Sequence, residues 1–219
     1  MRSFQTFRSN RRNCGWQSPP LRMENRVKLL AVETATSRLS VALLEGARIM
    51  ARADQDAPGK HARHLVPTID HLLTSSRLAL PDLEGLAVSI GPGSFTGLRV
   101  GLATMMGFRM VTGLPLATVP TLEAMAWNLR GVDRPLCPVL RARTGEVYWA
   151  IYRWSQDGAL EQIVPERVGS LEAMLDSLEW PVLIFGEGWQ ANREEFHRLL
   201  ATVQREVEEA PQEATAAAA

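Results

Sequence analysis

The chain has 219 residues, 46% hydrophobic and 22% charged, enough for one globular unit or two small subdomains and unlike a disordered or membrane-embedded composition. Its formal charge of zero joins two unlike parts: residues 1–22 carry five arginines (Arg2, Arg8, Arg11, Arg12, Arg22) and no acid, leaving 19 basic against 24 acidic residues, a net of −5, for the remainder. An acidic body argues against tight sequence-independent nucleic-acid binding by this chain alone, which needs many Lys and Arg phosphate contacts, so a nucleic-acid role calls for a partner.

Cys14 and Cys137 are the only cysteines, so neither a disulfide framework nor a cysteine-based zinc site can be drawn, and a reducing compartment is the default. No run of about 18 apolar residues occurs, and the N-terminus lacks the apolar core of a secretory signal. A cytoplasmic protein is expected.

Residues 1–22 are Arg-rich like an organellar transit peptide, but Gly15, Pro19 and Pro20 spoil an amphipathic helix. Met23 stands just before a natural strand start, so the leader reads as disordered, and as either an over-called start or a functional extension. Strands follow at residues 27–32, 39–44 and 48–53, a meander. Residues 61–76 set Leu65, Ile69, Leu72 and Leu73 at i, i+4, i+7 and i+8, one helical stripe. A short apolar strand at 85–90 ends in Gly91-Pro92-Gly93, after which Ser94 or Thr96 caps a helix reaching about residue 112. This βββαβα order is that of an RNase H-like lobe, placed at 23–113. Gly113-Leu114-Pro115 marks the boundary to a second lobe at 114–207, with strands at 116–119, 139–140, 146–154, 160–164 and 182–185 and helices at 121–129, 170–178 and 192–207. Residues 208–219 read as a disordered Glu/Ala-rich tail.

The loop at 91–101 lies between a strand end and a helix start, where free N–H groups and the helix dipole favour an anion. It is no Walker A, since no Gly-Lys-Ser/Thr follows, and a purely structural turn remains the alternative. Gly97, Gly101 and Gly107 inside the helix each cost about 1 kcal/mol relative to Ala. Gly97 and Gly101 form a bare strip for close approach, with Met105, Met106 and Met110 beside it as adaptable apolar surface. The strip serves either an internal seam against the helix at 61–76 or a partner. Glu33, Thr34 and Thr36 follow the first strand at a carboxyl end, where open α/β sheets bind ligands, so with Gly93 and Ser94 they form a candidate nucleotide or phosphate site of vestigial character. His61, His64 and His71 lack metalloprotease spacing, so no metal is expected.

Residues 29–40 (Leu-Leu-Ala-Val-Glu-Thr-Ala-Thr-Ser-Arg-Leu-Ser), 61–67 (His-Ala-Arg-His-Leu-Val-Pro), 91–101 and 145–150 (Gly-Glu-Val-Tyr-Trp-Ala) together resemble the bacterial TsaB (YeaZ-like) family. The resemblance implies an actin-like α/β fold of two lobes with mixed sheets and flanking helices. It also implies a non-catalytic role in forming threonylcarbamoyladenosine on tRNA, beside the anticodon, with the catalytic paralogue TsaD and the ATPase TsaE. The implied TsaD contact uses the helices at 61–76 and 94–112, which points to His61, Leu65, Ile69, Leu72, Gly97, Gly101 and Met105 as interface residues. Further implications are no required cofactor, a nucleotide at most at a complex interface, tRNA reached through the complex, and a homodimer in isolation. A small-molecule kinase or metallopeptidase of the same fold is the alternative. Two positions depart from the family pattern: Glu33 stands where many relatives have Asp, and Arg141 stands where relatives carry an acid between the lobes.

Overall fold

The computed structural model describes residues 27–179, 181–201 and 207–210. The leader expected at 1–22 lies outside the described residues, as does the tail from 211 on. Among the described residues no helix is long and apolar enough to cross a membrane.

The first lobe is built on a five-stranded sheet. Its strands are β1 (Lys28–Glu33), β2 (Arg38–Glu45), β3 (Arg48–Asp56), β4 (Gly85–Ser89) and β5 (Leu116–Val119), in the order β3-β2-β1-β4-β5. The hairpins β1–β2 and β2–β3 are antiparallel, while β4 lies parallel to both β1 and β5. Helix α1 (His61–Ser75) covers β2 and helix α2 (Phe95–Thr112) covers β4, the two helices touching each other. The helical stripe of α1 and Met105 of α2 close one core with Leu30, Val32, Leu39, Val41, Leu86 and Val88, which is how a helix of this period is stabilised. Ser94 caps α2, its hydroxyl accepting from Gly97 N–H at 3.2 Å, and the helix stops at Gly113, whose N–H returns to the Arg109 carbonyl at 2.8 Å.

The boundary lies later than the glycine and proline at 113–115 indicate. Strand β5 pairs with β4 from Leu86↔Leu116 to Ser89↔Val119, so it is the edge of the first sheet and the crossover follows at Pro120. A four-residue strand carries no pattern that says which sheet it joins.

The second lobe repeats the architecture with α3 (Thr121–Trp127), β6 (Leu136–Arg141), β7 (Glu146–Trp154), β8 (Leu160–Ser170), α4 (Leu171–Asp176), β9 (Val182–Phe185), α5 (Glu187–Ala191), α6 (Arg193–Leu200) and β10 (Val207–Glu209). Its sheet order is β10-β9-β6-β7-β8. Helices cover both faces, so β6 is buried without interruption from Leu136 to Leu140, as expected for a strand sandwiched between two layers. Cys137, Val139, Val147, Trp149 and Ile151 face α4 and α6, whereas Leu136, Leu140, Ala150, Tyr152 and Trp154 face α3, the period-two alternation of a strand.

Two expectations change here. β8 continues through Pro165 to Ser170 as an exposed edge strand. The tail placed from residue 208 begins as structure: Val207–Glu209 pairs parallel with β9, Glu209 meets Arg193 at 2.9 Å, and Ala210 N–H donates to the Ile184 carbonyl at 3.0 Å.

Candidate functional site between the lobes

β1 ends at Glu33, whose side chain is 2% exposed. One carboxylate oxygen accepts from Ala35 N–H, and the buried Ser89 hydroxyl on neighbouring β4 stands beside the carboxyl. Burial pushes the carboxyl up to about 7, with Ser89 and Ala35 pulling the other way and Glu187 adding repulsion from the second lobe.

The turn after Glu33 is clamped onto α2. A β-carbon at residue 97 would stand 2.0 Å from the Thr34 carbonyl oxygen, and one at residue 101 would stand 2.3 Å from Thr34 Oγ1. The glycine strip therefore receives the β1–β2 turn, an internal seam, though one made with this turn and not with α1. Ala35 closes the loop that resembles a phosphate cradle: its carbonyl accepts Ser94 N–H at 2.6 Å, and a β-carbon at Gly93 would come within 2.3 Å of the same oxygen. Thr36 Oγ1 accepts from Arg38 N–H at 3.2 Å. Glu33, Thr34, Thr36, Gly93 and Ser94 are thus brought to one end of the sheet, where their close contacts go to Ala35, Arg38, Gly97 and Gly101.

From the second lobe, Glu187 at the start of α5 accepts Ser37 N–H at 3.1 Å, a direct tie between the lobes. The neighbouring Gly186 and Gly188 are packed against β6, where added β-carbons would meet Val139 O at 2.3 Å and the Leu140 carbonyl carbon at 2.6 Å. Between the lobes lies a cleft of about 450 Å³ lined by Thr36, Ser37, Ser94, Arg141, Arg143 and Tyr148 among others. His61 also lines it, but is 5% exposed with Nε2 3.2 Å from the Arg38 carbonyl. No group of three or more His, Cys, Asp or Glu side chains among the described residues could hold a metal ion.

The residues expected at a partner surface need correction. His61, Leu65, Ile69 and Leu72 of α1, and Gly97, Gly101 and Met105 of α2, are all buried within the first lobe. Their apolar period is consumed by the sheet and by the β1–β2 turn. The outward face instead shows Leu102, Met106, Met110 and Val111 on α2, the last two 85% and 87% exposed, with Val66 exposed on α1. Met106 and Met110 were visible in the sequence as a methionine-rich face; Leu102, Val111 and Val66 were not separable from core residues by period.

Two lobes, each a five-stranded mixed sheet with flanking helices and a cleft between them, define an actin-like α/β protein. A PilM–PilN type IV pilus biogenesis complex matches in fold, with TM-score 0.52 at 13% identity over 87% of this chain and 90% of that one. YeaZ from Pseudomonas aeruginosa matches more closely, with TM-score 0.72 and 28% identity over 84% of each chain. Residues 55–195 match the family described as TsaD, tRNA N6-adenosine threonylcarbamoyltransferase. The tRNA threonylcarbamoyladenosine biosynthesis protein TsaB of Escherichia coli strain K12 is 35% identical over 178 residues, covering 75% of this chain and 73% of that one. The chain belongs to the TsaB (YeaZ-like) family.

Proposed function

We propose that this chain serves threonylcarbamoyladenosine formation on tRNA as a non-catalytic subunit that docks a TsaD-like catalytic paralogue and works with a TsaE-like ATPase. The observation that carries the reading is the outward face of α2, where Leu102, Met106 and Met110, spaced four residues apart, form one exposed apolar stripe. Apolar side chains of this size clustered on a helix are the material of a protein interface, and methionines adapt their shape to a partner. The non-catalytic part of the reading is supported by the closed β1–β2 turn. Ser94 N–H, a donor that could face a phosphate, is spent on the Ala35 carbonyl.

In this role the chain needs no cofactor of its own, and a nucleotide would sit at the complex interface. In isolation the same face brings two copies together as a homodimer. The kinase and metallopeptidase alternatives are disfavoured by the packed turn and by the tied ring of His61. The test is reconstitution with the TsaD-like and TsaE-like proteins, tRNA and a threonylcarbamoyl donor. Modification is expected to require this chain in addition to its partners, while the chain alone neither modifies tRNA nor cleaves peptides. Full modification without it would overturn the proposal.

A further inference from the structure

Two arginines at the mouth of the inter-lobe cleft make no ion pair among the described residues. Arg141 and Arg143 line it from the β6–β7 turn, and the ion pairs found among the described residues engage other arginines, Arg52, Arg134, Arg193 and Arg198. Phe95 lines the same cleft, is 67% exposed, and carries Arg99 over its ring with Cζ 3.7 Å from the centroid. Tyr148 adds a second ring. Glu187 is the carboxylate lining this cleft, and one of its oxygens already accepts Ser37 N–H.

Exposed guanidinium groups beside exposed aromatic rings are the combination that holds a single nucleic-acid strand, cations on phosphates and rings under bases. A mononucleotide needs an enclosing pocket, but the turns that would enclose one are packed shut at Ala35 and at Gly186 and Gly188. What remains accessible is an open rim along which a strand can pass. We propose that this rim binds a single-stranded RNA segment, with Arg141 and Arg143 on its phosphates and Phe95 stacked under a base. This rests on the tRNA reading above and adds to it a direct contact, so that the chain touches RNA itself as well as through its partners. The acidic remainder of the body, net −5 outside residues 1–22, keeps that contact local and weak in isolation.

The test uses the full chain and a labelled, unstructured RNA oligonucleotide, read by fluorescence anisotropy across a salt series. Wild type is expected to bind at low salt without displacement by equimolar ATP. Arg141→Glu with Arg143→Glu is expected to weaken binding at least about tenfold and to flatten the slope of log affinity against log salt by about 1.4, two charges on a single strand. Arg141→Gln with Arg143→Gln, which introduces no new charge, should lose affinity in the same direction. Absence of RNA binding by wild type at low salt, binding by both double variants as tight as that of wild type, or displacement by equimolar ATP would overturn the proposal. Capture of the TsaD-like paralogue by the same variants separates the two readings: retained capture with lost RNA binding supports the rim contact, and failed capture by wild type with the RNA effect intact sinks the heterodimer reading alone.

Discussion

Thr34 Oγ1 occupies the space where a β-carbon at residue 101 would lie, 2.3 Å away. Such an approach is below any tolerated contact, so Gly101 exists to let the β1–β2 turn sit on α2. Gly101→Ala is expected to destabilise the chain by about 1–3 kcal/mol through overpacking despite its better helix propensity, a loss of several degrees in Tm. Thr34 Oγ1 makes no hydrogen bond, so Thr34→Ala removes the obstruction without stranding a partner. The double variant should recover much of the loss, a positive coupling measurable by thermal melts of the four proteins.

Gly107 gives the opposite sign. It lies on the same helix with nothing within 4 Å of an added β-carbon. Gly107→Ala should therefore raise stability by about 0.5–1 kcal/mol, as read from the midpoint of urea unfolding. A loss at Gly107 comparable with that at Gly101 would mean that the turn is not what distinguishes the two.

Glu33 makes stability depend on pH. Its carboxyl lies near about 7 in the folded chain against an ordinary 4.5, so the native state binds the proton more tightly than the unfolded chain. Stability is then fully present below about 4.5, falls as pH rises through about 7, and levels off above it. Glu33→Gln can still accept from Ala35 N–H and cannot ionise. It should be more stable than wild type at pH 8 by up to about 3 kcal/mol and closer to it at pH 4.5. Urea midpoints at the two pH values check this, and a difference independent of pH would contradict it.

The cap of α2 is a single contact, Ser94 Oγ accepting Gly97 N–H. Ser94→Ala should cost about 1 kcal/mol, while Ser94→Asp should keep most of the stability because its carboxylate can accept the same bond at the positive end of the helix. Thermal melts of both variants test the difference.

Much of this was legible in the sequence because it is local. The meander, the helical stripe of Leu65, Ile69, Leu72 and Leu73, and the break at Gly91-Pro92-Gly93 followed by the Ser94 cap all lie within a few residues of their cause. β5 and β10 were misplaced because four and three residues carry too little pattern to name a sheet; register decides it, and register is tertiary. The residues expected at a partner surface are buried for a related reason. Helical period reveals the stripe a helix buries, and in α1 and α2 that stripe is spent on the chain's own sheet and turn, leaving the outward apolar residues to be recognised by their exposure. The bare glycine strip was read correctly as a site of close approach, but its occupant, Thr34, is 63 residues or more away from it in sequence, and no spacing identifies it. The meeting of Glu33, Thr36, Gly93 and Ser94 is foreseeable because all four lie at or just beyond the carboxyl ends of the neighbouring parallel strands β1 and β4.

The central claim is that the outward face of α2 docks the TsaD-like paralogue, and titration of that protein by calorimetry tests it most directly. Met106→Glu with Met110→Glu places two charges on the exposed face and leaves the core untouched, so the melting temperature of the chain alone should hold, as surface changes stay within about 0.5 kcal/mol. The account predicts that the dissociation constant of the heterodimer rises by at least about 30-fold, near 2 kcal/mol, the scale of a hot-spot loss. An unchanged dissociation constant with the variant folded would contradict it.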